Sequence, residues 1–382
     1  MKIHILIYFI CLYSLQANSQ TFKKYYGGKS SEYGNSISSA KDGGFVVVGS
    51  SNSTGNKQIY LLKIDSSGKE VWSSYFGGNS FEDAMSVKNT KDGGFILCGI
   101  TKSFKTNYDG DVYVVKTDSL GKEEWSKLYG GEKMEIGNSV LQTTDGSYII
   151  AGNSIKADRT QDIYLLKIDN KGNEVWNKSF SSVGTYDAKG NGVTLTLKGS
   201  IVIAGAMQTP KGYNNTLIQL GAENDTSWQC SSGGVEGNVL YSIAACSDSG
   251  FAVCGSIGGG TGNAFIMKTN KFGKKIWSKT LGIPENGEIF NAVIETKDKS
   301  IVAVGSTTGK GSGKNDVYLV KFDAKGKLLW EKYLGTPADD YGKSVIETDT
   351  GGFVIIGTSH SDPSVAEQIL IYKTNSKGDF EP

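Results

Sequence analysis

An aromatic position that recurs along the chain constrains the fold more than any other feature. The tryptophans follow one another at intervals of 49 to 53 residues, and Phe22 lies 50 residues before the first of them. The six are Trp72, Trp125, Trp176, Trp228, Trp277 and Trp330. Self-similarity with a period of this length is typical of folds in which one supersecondary unit is repeated and stacked. We therefore expect one repeat array rather than several unrelated domains.

Each repeat contains four strand-like segments. In the clearest copy the first segment is Trp72–Gly78, the second begins near Ser86, the third is Phe95–Gly99 and the fourth is Val112–Lys116. Turns containing Asp-Gly join runs of β-branched and aromatic residues, which is a hairpin signal. No window shows apolar residues at helical spacing over the length that a helix needs. The pattern predicts an all-β chain with four antiparallel strands per repeat.

Seven copies of the fourth segment begin near residues 59, 112, 163, 217, 265, 317 and 369. Four antiparallel strands in a unit of this length form one blade of a β-propeller. We predict a seven-bladed β-propeller of four-stranded antiparallel blades. The last copy has only three strands before Pro382, and Thr21–Tyr26 would supply the fourth. This N-terminal outer strand would close the ring and remove exposed sheet edges.

The repeat resembles the bacterial seven-bladed β-propeller repeat family, which joins an aromatic-to-Gly-Gly strand to an acidic loop and a Gly-aromatic-apolar strand. Tyr75–Val87 followed by Gly94–Gly99 shows this order. The chain is also similar to quinoprotein-type propellers, whose tryptophan-docking motif spaces Asp, Gly and Trp in the same way. Matching triplets are Asp65/Gly68/Trp72, Asp118/Gly121/Trp125, Asp169/Gly172/Trp176 and Asp323/Gly326/Trp330. The resemblance implies the fold but no activity, because propellers host unrelated functions.

The first 19 residues have the pattern of a secretion signal. Lys2 precedes the apolar run Ile3–Leu15, and Ala17 and Ser19 are small residues at −3 and −1 of a cleavage before Gln20. A membrane-spanning helix needs about 20 apolar residues, and this run is shorter. We expect a signal peptide over 1–19, one propeller over 20–382, no direct membrane insertion, and a secreted, extracellular or periplasmic protein.

Composition narrows the possible partners. Removal of Lys2 with the signal leaves 39 basic residues against 39 acidic ones. A near-zero charge argues against nucleic acid, because phosphate binding needs a basic surface. Cys98 and Cys254 share a repeat position with small apolar residues, and there is no CxxC. We expect a monomer that binds a glycan or an extracellular protein.

Few residues suit nucleophilic catalysis. His360 is the one histidine left after removal of the signal, so Ser-His or Cys-His chemistry has at most one base. The adjacent-cysteine disulfide and the metal ligands of the quinoprotein enzymes are not visible in the sequence. We therefore expect no cofactor, no metal and no redox activity.

Strand alternation separates two faces of the disc. Taking the serine-bearing second segment as the innermost strand, the Asp-Gly and Asp-x-x-Gly turns lie on one face, and the loops that vary in length lie on the other. These loops span residues 51–57, 101–110, 207–214, 257–262 and 307–315. Variable loops on a rigid scaffold usually carry recognition. The loop residues singled out are Phe104, Tyr108, Tyr213 and His360.

An acidic series lies on the same face, about four residues before the small residue of each inner strand. Its members are Glu32, Glu82, Glu135, Asp187, Glu288 and Asp340, and the neutral Asn238 takes the place in the fifth copy. One interpretation is a carboxylate ring at the channel mouth that holds a cation or sugar hydroxyls. The other is that each acid accepts backbone N–H bonds within its own loop. Regular repetition favours the second.

Three functions remain open. The leading hypothesis is a non-catalytic binding module that recognises its ligand through the variable loops. The alternative is a carbohydrate-active hydrolase, which needs two carboxyls about 5 to 10 Å apart. The acidic pairs Glu82/Asp83 and Asp339/Asp340 are its candidates. A third hypothesis is a purely structural spacer.

Overall fold

The structure is a computed structural model that describes residues 21–104, 110–182, 187–221, 226–232, 237–258, 262–282, 286–361 and 366–380. The signal segment 1–19 and Tyr108 lie outside these residues. The described chain is all-β, with 28 strands in seven sheets of four. The predicted fold class, a propeller of seven four-stranded antiparallel blades, is confirmed.

The strands follow one another blade by blade from the centre of the ring outward. The N-terminal strand is β1 (Phe22–Tyr26). Blade 1 holds β2 (Glu32–Ser39), β3 (Phe45–Ser51), β4 (Gln58–Ile64) and β5 (Glu70–Phe76). Blade 2 holds β6 (Glu82–Asn89), β7 (Phe95–Thr101), β8 (Asp111–Thr117) and β9 (Glu123–Tyr129). Blade 3 holds β10 (Met134–Gln142), β11 (Tyr148–Ile155), β12 (Gln161–Ile168) and β13 (Glu174–Phe180).

The remaining blades repeat this order. Blade 4 holds β14 (Ala188–Leu195), β15 (Ile201–Thr209), β16 (Gly212–Leu220) and β17 (Thr226–Ser232). Blade 5 holds β18 (Val239–Ala245), β19 (Phe251–Ile257), β20 (Asn263–Thr269) and β21 (Lys275–Leu281). Blade 6 holds β22 (Glu288–Glu295), β23 (Ile301–Thr307), β24 (Asp316–Phe322) and β25 (Leu328–Leu334). Blade 7 holds β26 (Asp340–Glu347), β27 (Phe353–Ser359) and β28 (Gln368–Thr374), with β1 as its outer strand.

The N-terminal strand closes the ring. β1 pairs antiparallel with β28, with Phe22 opposite Lys373 and Tyr26 opposite Ile369. The serine-bearing strands are innermost, and each contacts the inner strand of the next blade, including β26 against β2 across the closure. Closure of the ring by the N-terminal strand and the innermost place of the serine-bearing strands are both confirmed. Each of the seven described blades has four paired strands.

Two expected boundaries are wrong. Inner strands begin about four residues earlier than Ser36 and its equivalents indicate, because a β-bulge lets pairing continue: Gly34 pairs with Gly49, Ser36 pairs with Val48, and Asn35 bulges out between them. Residues 207–214, expected to form a variable loop, instead extend β15 and β16 into a tight hairpin in which Thr209 pairs with Gly212.

The glycine in each third segment is required by the close approach of the inner strand. A Cβ built on Gly49 would lie 1.7 Å from the Tyr33 carbonyl oxygen, and the same clash recurs at the equivalent glycines. No side chain fits at that distance. The first and second strands of a blade can therefore approach each other this closely beside the bulge only where this glycine is present.

Hydrophobic clusters between neighbouring blades form the core, and each tryptophan packs against the next blade. The Trp72 ring lies against Gly121 of blade 2, and Trp125 lies against Gly172 of blade 3. Phe22 occupies the same position against Gly68 of blade 1. Gly121 is in the left-handed region (φ +76°), where a Cβ would approach the Trp72 ring to 2.4 Å. The expected structural role of the tryptophans is thus confirmed.

Lysines of the fourth segment are buried and reach an aspartate in the Asp-Gly turn of their own blade. Lys268 Nζ lies 2.8 Å from Asp248, and Lys116 Nζ lies 3.0 Å from Asp92. In both pairs the lysine is almost fully buried while the aspartate is exposed. The ion pair thereby connects the turn between the first two strands of the blade to its third strand, which is the fourth segment of the sequence repeat.

Substitution of Gly121 tests the aromatic contact between blades. Gly121→Ala should lower the free energy of unfolding by about 2–4 kcal/mol, combining about 1 kcal/mol of left-handed strain with overlap against Trp72. Gly43→Ala is the matched control, because Gly43 has φ +81° and nothing within 4 Å of a built Cβ. It should lose only the strain component. Chemical denaturation measures both; equal losses in the two variants would contradict the contact.

Acid unfolding tests the Lys–Asp fastening. Burial raises the pKa of Asp92, but hydrogen bonds from Thr90 and Gly94 and the Lys116 ammonium outweigh it and lower the pKa from 3.8 to about 2. A depressed pKa gives stability that is present above pH 4 and is lost as the pH falls through 2. Asp92→Asn should therefore narrow the difference in Tm between pH 6 and pH 2.5. The fully exposed Asp349→Asn should leave that difference unchanged.

Candidate functional site

The acidic series is buried rather than displayed at the surface. Its described carboxylates on the inner strands are only 0% to 5% exposed: Glu32, Glu82, Glu135, Glu288 and Asp340. They lie at or next to the first residue of those strands, which begin earlier than expected. This burial disfavours the interpretation as an open carboxylate ring, which regular repetition also disfavours, and supports the one in which each acid holds its own loop.

Glu82 and Glu32 hold their own loop to their own blade. Glu82 accepts hydrogen bonds from the Gly78 N–H at 3.1 Å and from the Thr101 hydroxyl at 2.7 Å. Glu32 accepts the same pair of bonds from Gly28 and Ser51. Burial raises the pKa of Glu32 above its usual value, and these two bonds offset only part of that rise. Direct contact of these residues with a ligand stays a prediction.

The residue after each acid points the other way, toward the mouth of the central channel. Successive residues of a strand face opposite sides, and the burial of β2 alternates between buried Glu32 and half-buried Tyr33. The mouth positions of the seven blades are Tyr33, Asp83, Ile136, Lys189, Val239, Ile289 and Tyr341. Two tyrosines of neighbouring blades, 7 and 1, thus lie at this mouth.

Polar contacts link these two tyrosines through the last loop of the chain. The His360 ring packs edge-on against Tyr341, with 6.1 Å between ring centroids. Its Nε2 lies 3.2 Å from the Glu367 carboxylate, and the Tyr33 hydroxyl also donates to Glu367. On the far side of Tyr341, the Asn315 amide donates to the Asp339 carboxylate at 2.6 Å and to the Tyr341 hydroxyl at 3.1 Å.

The same line of contacts continues from Tyr33 into blade 2. Lys57 Nζ lies 5.0 Å from the centre of the Tyr33 ring and 4.8 Å from that of Phe81. It also forms an ion pair of 2.6 Å with Asp83. We call the eight residues of this line the mouth band: Tyr33, Lys57, Phe81, Asp83, Asp339, Tyr341, His360 and Glu367.

The mouth band is charged and aromatic at neutral pH. Burial raises the pKa of Glu367, but hydrogen bonds from Ser31 and Tyr33 and the contact with His360 bring it below its usual value. Burial and the nearby Asp339 raise the pKa of Tyr341. The band therefore presents the ionised Glu367 carboxylate beside the neutral hydroxyls of Tyr33 and Tyr341, which together accept and donate hydrogen bonds.

The other predicted residues are dispersed. Phe104 is exposed and packs against Tyr113, with 5.8 Å between centroids. The Tyr213 hydroxyl donates to Asp187 at 2.6 Å on blade 4, away from the band. Of the four loop residues singled out in the sequence, only His360 belongs to the mouth band.

The two acidic pairs do not converge on a common point. In each pair one carboxyl is buried and engaged, because adjacent strand residues face opposite sides: Glu82 closes its loop while Asp83 faces the mouth. Asp340 likewise accepts from Thr336 at 2.6 Å while Asp339 lies beside Tyr341. Asp83 and Asp339 are the members that reach the mouth.

Five residues of the mouth band were not predicted as site residues from the sequence: Tyr33, Lys57, Phe81, Tyr341 and Glu367. The inner strands were expected to begin four residues later, which placed Tyr33 and Tyr341 in loops. The direction of their side chains could therefore not be predicted. An alternation signal was available, since each tyrosine directly follows an acid of the series. Nothing in the sequence indicated that Lys57 would lie between two aromatic rings.

A group of three possible metal ligands lies on the opposite face, at Cys246, Asp248 and Glu295. Each member already has a place in the repeat. Cys246 occupies the turn position that Thr90 and Thr296 fill in other blades, and burial raises the pKa of its thiol to about 12. Asp248 binds Lys268, and Glu295 accepts from the Ser247 N–H at 2.7 Å. We interpret the group as turn structure.

No family model matches the chain, and no match was found among curated proteins. Solved structures that it resembles include the polysaccharide lyase Uly1, with a TM-score of 0.58 and 10% identity over 92% of this chain and 91% of that one. A puromycin hydrolase gives 0.56 and 11% identity over 92% and 54%. A protein of unknown function from Dyadobacter fermentans gives 0.51 and 12% identity over 93% and 98%. At these identities the likeness shows the fold alone.

No helix in the described part of the chain is long and apolar enough to cross a membrane.

Substitution of Glu82 tests the loop-closing role of the buried acids. Glu82→Gln places an amide N–H₂ where one of its carboxylate oxygens accepts, so either Gly78 or Thr101 loses its acceptor. A buried donor without an acceptor costs about 1–3 kcal/mol, which thermal or chemical denaturation would detect. Asp349→Asn is the control, and it should leave the stability unchanged because the Asp349 side chain is fully exposed. A neutral Glu82→Gln would contradict the assignment.

Proposed function

We propose that the protein is a secreted or cell-surface binding module that recognises a glycan through the mouth band. The observation that carries the proposal is the unbroken line of contacts from Asp339 through Tyr341, His360, Glu367 and Tyr33. It lies along blades 7 and 1 of a closed scaffold. An extracellular protein is the other ligand class that such a surface would suit.

The chemistry of the band favours a sugar. Tyr33 and Tyr341 are half-buried, so each offers an apolar ring and a polar hydroxyl at the same place. The carboxyl oxygens of Asp339 and Glu367 accept hydrogen bonds from hydroxyl groups, and the Lys57 side chain donates them. Ligand sites commonly combine aromatic walls with a few fixed polar groups. The band provides both within one line of contacts.

A carbohydrate-active hydrolase is the second candidate, and one observation favours it. Asp83 and Asp339 both reach the mouth, from blades 2 and 7. Two carboxyls that flank a bond can act as acid and base or as nucleophile. Both, however, are already engaged, Asp83 by Lys57 and Asp339 by Asn315, which supports binding over proton transfer.

Export and family kinship belong to the same proposal. The signal pattern of residues 1–19 supports secretion, and the chain carries the repeat pattern of secreted propellers. The packing of Trp72 on Gly121 and of Trp125 on Gly172 supports kinship with the tryptophan-docking propellers. We also propose that the protein acts as a monomer.

Retention on immobilised polysaccharides tests the binding role. The protein should bind at least one member of a panel of neutral and acidic glycans, and Tyr33→Ala with Tyr341→Ala should weaken that binding at least tenfold, about 1.4 kcal/mol. Phe272→Ala is the control, because Phe272 is an exposed aromatic residue in a turn of the opposite face. An equal loss in both variants, or no retention of the wild type, would contradict the proposal.

Release of reducing ends from the same panel separates the two candidates. A binding module releases none. Release that disappears in Asp83→Asn with Asp339→Asn, while the fold is unchanged by circular dichroism, would establish the hydrolase instead. Asp339 is a better target than Asp340, whose full burial would confound activity with folding, and circular dichroism controls for the same effect at the buried Asp83.

A further inference from the structure

The bulged residue of each inner strand faces the central channel, which encloses about 180 Å³. These seven residues are Asn35, Met85, Asn138, Asn191, Tyr241, Asn291 and Lys343. The asparagines connect blades, since each donates its amide to a carbonyl of the next inner strand. Asn191 donates to Leu240 at 2.7 Å, and Asn291 donates to Gly342 at 2.7 Å. Asparagine is therefore the residue that the repeat uses here for structure.

Two lysines break this pattern inside the channel. Lys343 replaces the bulged asparagine in blade 7. Lys88 lies in blade 2, three residues after the bulge, where the other blades have short or aliphatic side chains. The equivalents of Lys88 are Ser38, Leu141, Thr194, Ala244, Ile294 and Ile346. Both lysines face the same cavity, and neither is required by the repeat that builds the ring. Their presence therefore needs another explanation.

Neither lysine has a hydrogen bond or ion pair within the described part of the chain. The described residues that line the channel include no Asp or Glu. The acid whose charge acts on Lys343 is Asp83, but its two oxygens are bound by Lys57 at 2.6 Å and by the Asn35 amide at 3.0 Å. The remaining wall contributes serine hydroxyls, such as those of Ser139 and Ser344, and aliphatic groups.

The protein walls also make both ammonium groups costly. Lys88 is exposed to the channel, yet protein surrounds it, and this desolvation lowers the pKa of its ammonium group. Desolvation likewise lowers the pKa of Lys343, although the charge of Asp83 opposes the change. Two like charges without a counter-ion in one narrow cavity repel each other. An anion between them would remove both penalties.

We propose that the central channel binds one small tetrahedral oxyanion, sulfate or phosphate, between Lys88 and Lys343. The anion would accept charge-assisted hydrogen bonds from both ammonium groups and further bonds from wall hydroxyls. It could arrive as a free ion or as an ester group on a larger ligand that enters from the mouth. The site does not depend on the mouth band, so it can exist whether or not the proposed glycan function is correct.

Thermal unfolding at constant ionic strength tests the proposal with inorganic sulfate and phosphate, using chloride as the reference. At a hundredfold excess over Kd, either oxyanion should raise Tm by about 3 °C. Lys343→Asn and Lys88→Ser install residues that other blades already hold at these positions, so the fold should persist. Each single variant should lose at least tenfold in sulfate affinity by calorimetry. Lys275→Asn, at an exposed lysine of β21, should lose nothing.

A measurement on the wild type avoids reliance on variants. Acetylation by acetic anhydride, mapped by mass spectrometry, should slow at Lys88 and Lys343 at least threefold in sulfate and stay unchanged at Lys275. A sulfated polysaccharide compared with its desulfated form distinguishes an ester group from a free ion. The proposed site would be overturned if sulfate raised Tm equally in the wild type and in the variant that combines Lys88→Ser with Lys343→Asn. It would also be overturned if neither sulfate nor phosphate changed Tm. Failure of glycan retention alone would not overturn it.

Discussion

Contact between an aromatic ring of one blade and a glycine of the next is the constraint on which the rest of the ring depends. Trp72 lies on Gly121, Trp330 lies on Gly378, and Phe22 lies on Gly68. The last contact joins the N-terminal strand, which completes blade 7, to a turn of blade 1, so closure uses the same interaction as the junctions formed by Trp72, Trp125, Trp228, Trp277 and Trp330. A glycine is needed because the ring occupies the space of a Cβ, and its turn also has a positive φ.

The buried acids apply a second constraint at the opposite face. Glu82 and Glu32 each accept one bond from the loop that enters their strand and one from the strand beside it, as Glu82 does with Gly78 and Thr101. This fixes the first residue of the inner strand, and strand geometry then directs the following residue toward the channel. The mouth positions are therefore held by groups that themselves lie out of reach of solvent. The entrance is held by these buried, hydrogen-bonded carboxyl groups.

The sequence was sufficient for the fold because every blade repeats the same local signals. The tryptophan spacing, the Asp-Gly turns and the apolar third segment each agree on four strands, and the missing strand of blade 7 was recognisable in Thr21–Tyr26. The site was harder for a definite reason. A bulge at Asn35 shifts pairing by one residue, so the inner strand continues to Glu32. The direction of each side chain between Glu32 and Asn35 depends on this bulge. Contacts between loops, such as those of Lys57 with Tyr33 and Phe81, likewise depend on the folded backbone rather than on any local sequence pattern.

Pseudo-symmetry supplies a criterion for separating structure from function in such a ring. Features that recur in most blades, such as the closing acids, the channel asparagines and the buried Lys–Asp pairs, have partners supplied by the repeat itself. Tyr33 and Tyr341 share a repeat position that the other five blades fill differently, Lys88 and Lys343 each occur in one blade only, and the two lysines have no hydrogen bond or ion pair within the described blades. Asp83 connects the two sets, since it binds Lys57 of the mouth band and the channel residue Asn35. The departures from the repeat therefore lie along one axis, from the mouth inward, where a ligand could reach all of them.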